Sequence, residues 1–314
     1  MKASVIIPTY DRPDYLRQTL QSLAWQTTDE FEVIVVNDSE DEVNQRIVEE
    51  YNERYDIPFR HLWGGGGVSA ARNKGVEHAE TENILFLDDD TLAPEIWVES
   101  MVENVQQAEP DVDIVAGQLL PVWLGGEPDW YCEEALAPKS LAPVWSRGDE
   151  PEVTESVATP ADNTLVKREA FTAVDGFDTN LGQKEGSGRT APEDVAFCAR
   201  LQEQKSKMLY VPLPTYHLLP AERVPDRSDM NMRSNGISSG ISSATLTRQK
   251  SWKDQLFDFV REGFLLFPYH LYQLTAAYVS GNTYKYMLNK RWAYANLSFY
   301  YGFVTDLVGD LRPL

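Results

Sequence analysis

Apolar runs alternate with mixed segments from residue 3 to about residue 117. The runs ASVIIP (3–8), FEVIVVND (31–38), FRHLW (59–63), NILFLD (83–88) and VDIVAG (112–117) read as strands. Helical periodicity falls between them, around 13–25, 41–54, 69–79 and 95–107. Strands separated by helices of that length signal a parallel sheet with crossover helices. Near-continuous Val, Ile and Leu in the strands predicts that both sheet faces are covered. The expected fold class is α/β, with a mostly parallel central sheet and flanking helices.

In such a sheet a ligand sits beyond the carboxyl ends of the strands. Pro8, Thr9, Tyr10, Asp11 and Arg12 follow the first strand, and Asn37, Asp38 and Ser39 the second. The third leads into Gly64 to Gly67 and then Ser69, Arg72 and Asn73, and the fourth into Asp88, Asp89 and Asp90. Polar clusters converging on one edge predict a site there.

Three adjacent carboxylates repel one another, so a cation is expected among them. Hard oxygen donors suit Mg²⁺ or Mn²⁺, which bind one or two carboxylates together with substrate phosphates. An extended backbone points Asp88 and Asp90 one way and Asp89 the other. Asp88 and Asp90 are then the metal and ligand pair, and Asp89 meets a neighbouring loop or the solvated rim. Helix capping by Asp90 or Thr91 explains one such residue, not three. The run GGGGVSAARNKG (64–75) offers backbone N–H groups at a helix N-terminus to a phosphate, though no GK[ST] makes it a Walker loop. Arg72 supplies a cation for a diphosphate. Asp38 is placed to accept from a nucleobase or ribose, or merely to shape a turn. Thr9, Tyr10 and Arg12 frame that position, with Tyr10 as a stacking face. Glu193 and Asp194 open a helix, where they either complement its dipole or present a general base. His217 is a structural histidine or a metal ligand.

Charge narrows the partners. With 28 Lys and Arg against 49 Asp and Glu, the formal net charge is −21, which argues against nucleic acid. Only eleven residues are lysine, and such a surface fits a salt-rich cytoplasm where screening tempers self-repulsion. Cys132 and Cys198, with no CxxC, indicate a reducing compartment and no structural zinc. The opening MKASVIIPTYDRP enters a strand pattern without the order of a signal peptide, and no apolar run reaches the ~18 residues of a spanning helix.

Prolines at 121, 128, 138, 143, 151 and 160 predict excursion loops between 118 and 165. Order resumes with ADNTLVKREAFTAVDGFDTNLG (161–182), a helix over APEDVAFCARLQEQ (191–204) and a short strand in KMLYVPLPTYHLLP (207–220). The expected divisions are a catalytic unit over 1–220, a mobile loop over 221–250 and a helical region over 251–314. Trp252, Phe267, Tyr272, Tyr286, Trp292 and Tyr301 are among the aromatics of that last region, with Lys285, Lys290 and Arg291 as a basic flank. Such helices either lie in a membrane interface or pack against protein.

Taken in order, ASVIIPTYDRP, VIVVNDSED, GVSAARNKG, ILFLDDD, ADNTLVKREAFTAVDGFD and PEDVAFCARL resemble the family 2 glycosyltransferases of GT-A fold over residues 3–218. The tail, with RWAYANLSFYYGFVTDL, is similar to those of membrane-associated members. The resemblance implies a nucleotide-sugar donor, often UDP-linked, a divalent cation (Mn²⁺ or Mg²⁺) and inversion at the anomeric carbon. Carried onto this chain, it implies that Pro8, Thr9, Tyr10, Arg12 and Asp38 hold the nucleoside and that Arg72 lies near the diphosphate or base. Asp88 would lie nearer the ribose and Asp90 nearer the metal, with Asn163 near the donor sugar, although Asp162 precedes it where the family has glycine. Asp194 would be the catalytic base and Glu193 its neighbour. Acidic composition and aromatic tail further resemble transferases of salt-loving archaea that build dolichol-phosphate-linked oligosaccharides for surface-protein N-glycosylation. That implies a lipid-linked glycan acceptor, a hexose or hexuronic acid donor and a peripheral position on the cytoplasmic membrane face. A nucleotidyltransferase would want a GxGTR-like loop in place of PTYDRP, and a DxDxT phosphatase is excluded by Leu92. A non-catalytic nucleotide-sugar-binding protein and a transferase of another surface polysaccharide remain alternatives.

Overall fold

All seven residues of β1 (Ala3–Thr9) and of β2 (Phe31–Asn37) are buried, as strands covered on both faces require. A computed structural model describes residues 1–128, 145–181, 193–223 and 260–281, together with 285, 289 and 293. Alternation along β1 sends Val5 and Ile7 to one face and Ile6 to the other. On the first face they meet Leu16, Leu20 and Leu23 of α1 (Pro13–Ala24), Ile47 of α2 (Val43–Arg54) and Trp97 and Met101 of α4 (Trp97–Gln107). On the second they meet Ala71 and Val76 of α3 (Val68–His78) and a cluster of Phe86, Phe171, Phe177 and Phe197. Pro13 at the start of α1 loses no helical hydrogen bond, because first-turn N–H groups have no intrahelical acceptor.

The remaining elements are β3 (Phe59–Trp63), β4 (Asn83–Phe86), β5 (Thr91–Leu92), β6 (Val112–Trp123), β7 (Glu152–Thr154), β8 (Thr164–Lys167), α5 (Arg168–Ala173), α6 (Glu193–Glu203) and β9 (Lys207–Leu219). They complete a nine-stranded sheet of order β3-β2-β1-β4-β8-β6-β9-β5, with β7 also on β9. Strands β3, β2, β1 and β4 are parallel, as are β6 and β9. Between these parallel blocks β8 runs antiparallel to both β4 and β6. By paired length the mixed sheet is mostly parallel.

Two expectations change. The segment 118–165 is not loop throughout, since β6 runs to Trp123, and the strand expected to be short, β9, is 13 residues long. Pro121, Pro212 and Pro214 concealed this, because a proline inside a strand signals an interruption. Here the β6–β9 register jumps between Ala116 and Gln118, and Pro214 sits at that jump, opposite Gln118. Second, β4 stops at Phe86, two residues before the aspartates.

Residues 224–250 of the expected mobile loop lie outside the described residues, and Ala221–Arg223 form one turn of 3-10 helix. Of the C-terminal region, a π-helical turn (Arg261–Leu266) leads into α7 (Phe267–Ser280). Trp252, Tyr286, Lys290, Arg291, Trp292 and Tyr301 lie outside the described residues. Among the described residues no helix is long and apolar enough to cross a membrane.

Candidate active site

The aspartates occupy a turn, closed by the Thr91 N–H donating to the Asp88 carbonyl at 3.2 Å. A turn does not alternate its side chains as a strand does, so Asp88 and Asp90 part company. Asp88 accepts from Arg72 Nη2 at 2.8 Å. Asp90 accepts from Arg12 Nη1 at 2.9 Å and faces His217 Nε2 at 3.3 Å. Asp89 is 5% exposed and joins Asp90's side, accepting from the Thr9 hydroxyl at 2.7 Å and Arg12 at 3.3 Å. It therefore meets the loop after β1 and not the solvated rim. Burial, with the adjacent Asp90 charge, pushes Asp89 up to about 7 against the pull of Arg12 and Thr9.

The predicted metal ligands are thus divided. Asp88, Asp90 and His217 bring the right donor atoms, but Arg12 and His217 already hold Asp90 while Arg72 holds Asp88. Among the described residues no group of His, Cys, Asp or Glu is assembled to hold a metal. The ligand set does not form a cation site in this arrangement, and no reaction step is derived through a metal.

Arg72 is 3% exposed and spans the site. Its Nη1 reaches Glu193 at 2.8 Å while Nη2 holds Asp88, and its guanidinium lies 5.3 Å from the centre of the Phe177 ring. Burial by itself would weaken its charge, yet Asp88 and Glu193 outweigh that and hold it above its ordinary value. Beside Glu193, Asp194 borders an apolar cavity lined by Phe86, Phe177, Phe197 and Cys198. Burial, followed by the Glu193 charge, raises Asp194 to about 6. A carboxyl poised there can take a proton near neutral pH.

On the nucleoside side, Pro8 is buried within β1 and Tyr10 is 43% exposed. Arg12 is committed to the aspartates, and the Thr9 hydroxyl to Asp89. Asp38 accepts from the backbone N–H groups of Gly65 and, at 2.8 Å, Gly67. Gly65, Gly66 and Gly67 have φ of 133°, 116° and 93°, which only glycine adopts without strain. The glycine run is therefore a turn wrapped on the Asp38 carboxylate, and those N–H groups do not face an open phosphate cradle.

Asn163 is not placed for a donor sugar. It is fully buried, its Oδ1 accepts from Trp97 Nε1 at 2.7 Å, and its Nδ2 donates to the carbonyls of Gln118 and Leu213 at 2.6 and 2.9 Å. Both Nδ2 hydrogens are used, in splinting the register jump between β6 and β9. Sequence reasoning missed its neighbour as a site residue. Asp162 is 2% exposed, and burial, with the Asp88 charge, raises it to about 7. No local sequence pattern marked it, because its place follows from the antiparallel β4–β8 register, in which Phe86 pairs Thr164 and Asp162 falls opposite Asp88.

Against known proteins, the chain is similar to glycosyl transferase family 2. The similarity to that family covers residues 4–131 of the chain. A mannosyltransferase from Pyrobaculum calidifontis, solved with GDP-Man and Mn²⁺, is similar to the chain at TM-score 0.58 and 15% identity, over 99% of this chain and 88% of its own. TarS 1–349 of Staphylococcus aureus, solved with UDP, is similar at TM-score 0.53 and 20% identity, over 96% and 92%. The glycosyltransferase domain has the GT-A fold. A glucosyl-dolichyl phosphate glucuronosyltransferase of Haloferax volcanii is 29% identical over 206 residues, 65% of this chain and 64% of that protein. The poly(ribitol-phosphate) beta-N-acetylglucosaminyltransferase TarS is 33% identical over 118 residues, 37% of this chain and 21% of its own length. The match thus spans less than two thirds of either curated relative.

Proposed function

We propose that the chain is an inverting glycosyltransferase that moves a sugar from a nucleotide-sugar donor, UDP-linked by preference, to a hydroxyl of a lipid-linked glycan. The observation that carries this reading is the Arg72 bridge from Asp88 to Glu193, which ties the donor-side turn to the helix start bearing Asp194. Asp194 takes the acceptor proton, freeing that oxygen to attack the anomeric carbon from the side opposite the nucleotide. Negative charge then grows on the departing diphosphate, and Arg72, a buried cation held between Asp88 and Glu193, stabilises it electrostatically. A sugar hydroxyl needs such a base, whereas an already ionised lipid phosphate does not.

The glucosyl-dolichyl phosphate in the name of the Haloferax relative supports a lipid-linked substrate. A peripheral position on the cytoplasmic membrane face is supported by Leu265 in the π-helical turn and by Tyr269, Leu271, Tyr272, Tyr278 and Val279 in α7, all standing exposed. The test is transfer and donor hydrolysis against a panel of UDP- and GDP-sugars at high salt, with lipid-linked and polyol-phosphate acceptors. Asp194→Asn is expected to lose about 100-fold or more in kcat, the low end of general-base contributions. Near-native transfer by that variant overturns the assignment of the base.

A further inference from the structure

One buried carboxylate has no part in the chemistry above. Asp162 Oδ1 accepts the backbone N–H of Asp88 at 3.1 Å, and its Oδ2 accepts the hydroxyl of Thr91 at 2.7 Å. Those partners are the first residue of the aspartate turn and the residue that closes it. A single side chain therefore grips both ends of a loop whose three carboxylates repel one another. Two features deliver it there. The antiparallel register of β4 and β8 brings residue 162 opposite residue 88, and the left-handed backbone of Asn163, φ 58°, leads from it into β8. Arg12 and Arg72 then draw the turn outward in two directions, Asp89 and Asp90 to one and Asp88 to the other.

We propose that Asp162 is a positioning residue for sugar transfer: by strapping the Asp88–Asp90 turn through two hydrogen bonds, it fixes the separation between Asp88 and Asp90. The proposal rests on the reading of this edge as the donor site. It also specifies that hydrogen bonding, not negative charge, is what Asp162 supplies. An asparagine can keep both bonds, with its carbonyl oxygen on the Asp88 N–H and its amide donating to a Thr91 hydroxyl that reverses its role. An alanine can keep neither, and Thr91→Val removes only the hydroxyl bond.

The experiment uses the full chain and the variants Asp162→Ala, Asp162→Asn and Thr91→Val. It reads nucleotide affinity (UDP and GDP), KM and kcat with the matching nucleotide sugars, and hydrogen exchange in the peptide covering 84–92. Asp162→Ala is expected to speed exchange there and raise donor KM roughly tenfold or more, since it loses two hydrogen bonds and each is worth up to about tenfold. Thr91→Val should do the same to a smaller degree, and it serves if Asp162→Ala does not fold. Asp162→Asn should restore most of both readouts, which a charge role would not allow. Unchanged KM in folded Asp162→Ala and in Thr91→Val overturns the proposal, as does an Asp162→Asn no better than the alanine. If the native chain binds no nucleotide while exchange still responds, the donor-site reading itself fails and the positioning role falls with it.

Discussion

Replacing Asn163 by alanine separates a structural amide from a sugar contact. The substitution leaves the buried Trp97 indole N–H without its acceptor and removes one donor from each of two part-buried carbonyls, of Gln118 and Leu213, the first of which keeps the Thr215 hydroxyl at 3.4 Å. An orphaned buried donor costs about 1–3 kcal/mol, and carbonyls with a second lone pair somewhat less. Alanine also tolerates φ of 58° less well than asparagine, by about 1 kcal/mol. The sum is about 4 kcal/mol, a large share of the ~5–15 kcal/mol that holds a typical domain together. Asn163→Gly removes the backbone part and should be milder than alanine by about 1 kcal/mol. Asn163→Asp should be harsher than glycine, because it aims a carboxylate at two carbonyl oxygens. Gly117→Ala provides an independent arm, since a Cβ there runs into Asn163 Nδ2 and the Leu213 carbonyl oxygen. Urea unfolding at fixed salt measures each loss, and titration with nucleotide sugar measures binding in the folded fraction. A stable Asn163→Ala protein that has lost only sugar-donor affinity would refute the structural role and restore the contact implied by family resemblance.

With Asp194 raised to about 6, the acid limb of kcat/KM should bend near that pH, activity rising as the carboxyl ionises; a limb near the ordinary carboxylate range would remove Asp194 as the base. Arg12→Gln takes the guanidinium from Asp90, so Mn²⁺ binding followed by electron paramagnetic resonance should tighten, and an unchanged affinity would show that Arg12 does not compete with a cation. Asp89 is raised from 3.8 to about 7, so the folded chain holds an extra proton between those values and its stability falls as pH climbs through that window. Asp89→Asn should flatten the fall in unfolding free energy between those limits, and an unaltered slope would place the proton elsewhere.

Much of this site was legible because it depends on strand ends. Wherever apolar runs stop at buried strands, as after Thr9 and Asn37, the polar residues that follow must lie on one edge. What stayed hidden depends on partners distant in the chain. Arg72 meets Glu193 across 121 positions, and the Thr9 hydroxyl meets Asp89 across 80. No local pattern encodes such choices. The long strands β6 and β9 were obscured by prolines that a register jump accommodates, and that jump in turn fixed Asn163 as its splint.

The aspartate turn shows why the partner question matters chemically. Read as a strand, Asp88 and Asp90 form one ligand face with Asp89 behind it. Folded as a turn, the same residues present Asp89 and Asp90 to Arg12 and Asp88 to Arg72, with Asp162 holding the backbone beneath. Both guanidinium groups are fixed charges, so the turn is partly neutralised before any ligand arrives. Asp89 and Asp162 are both pushed up to about 7, by burial first and by neighbouring carboxylate charge second, against the pull of Arg12 on Asp89 and of His217 on Asp162. Any further cation brought to this edge would favour the ionised forms and release protons. Its apparent affinity would then increase with pH across the same range in which Asp194 becomes a competent base.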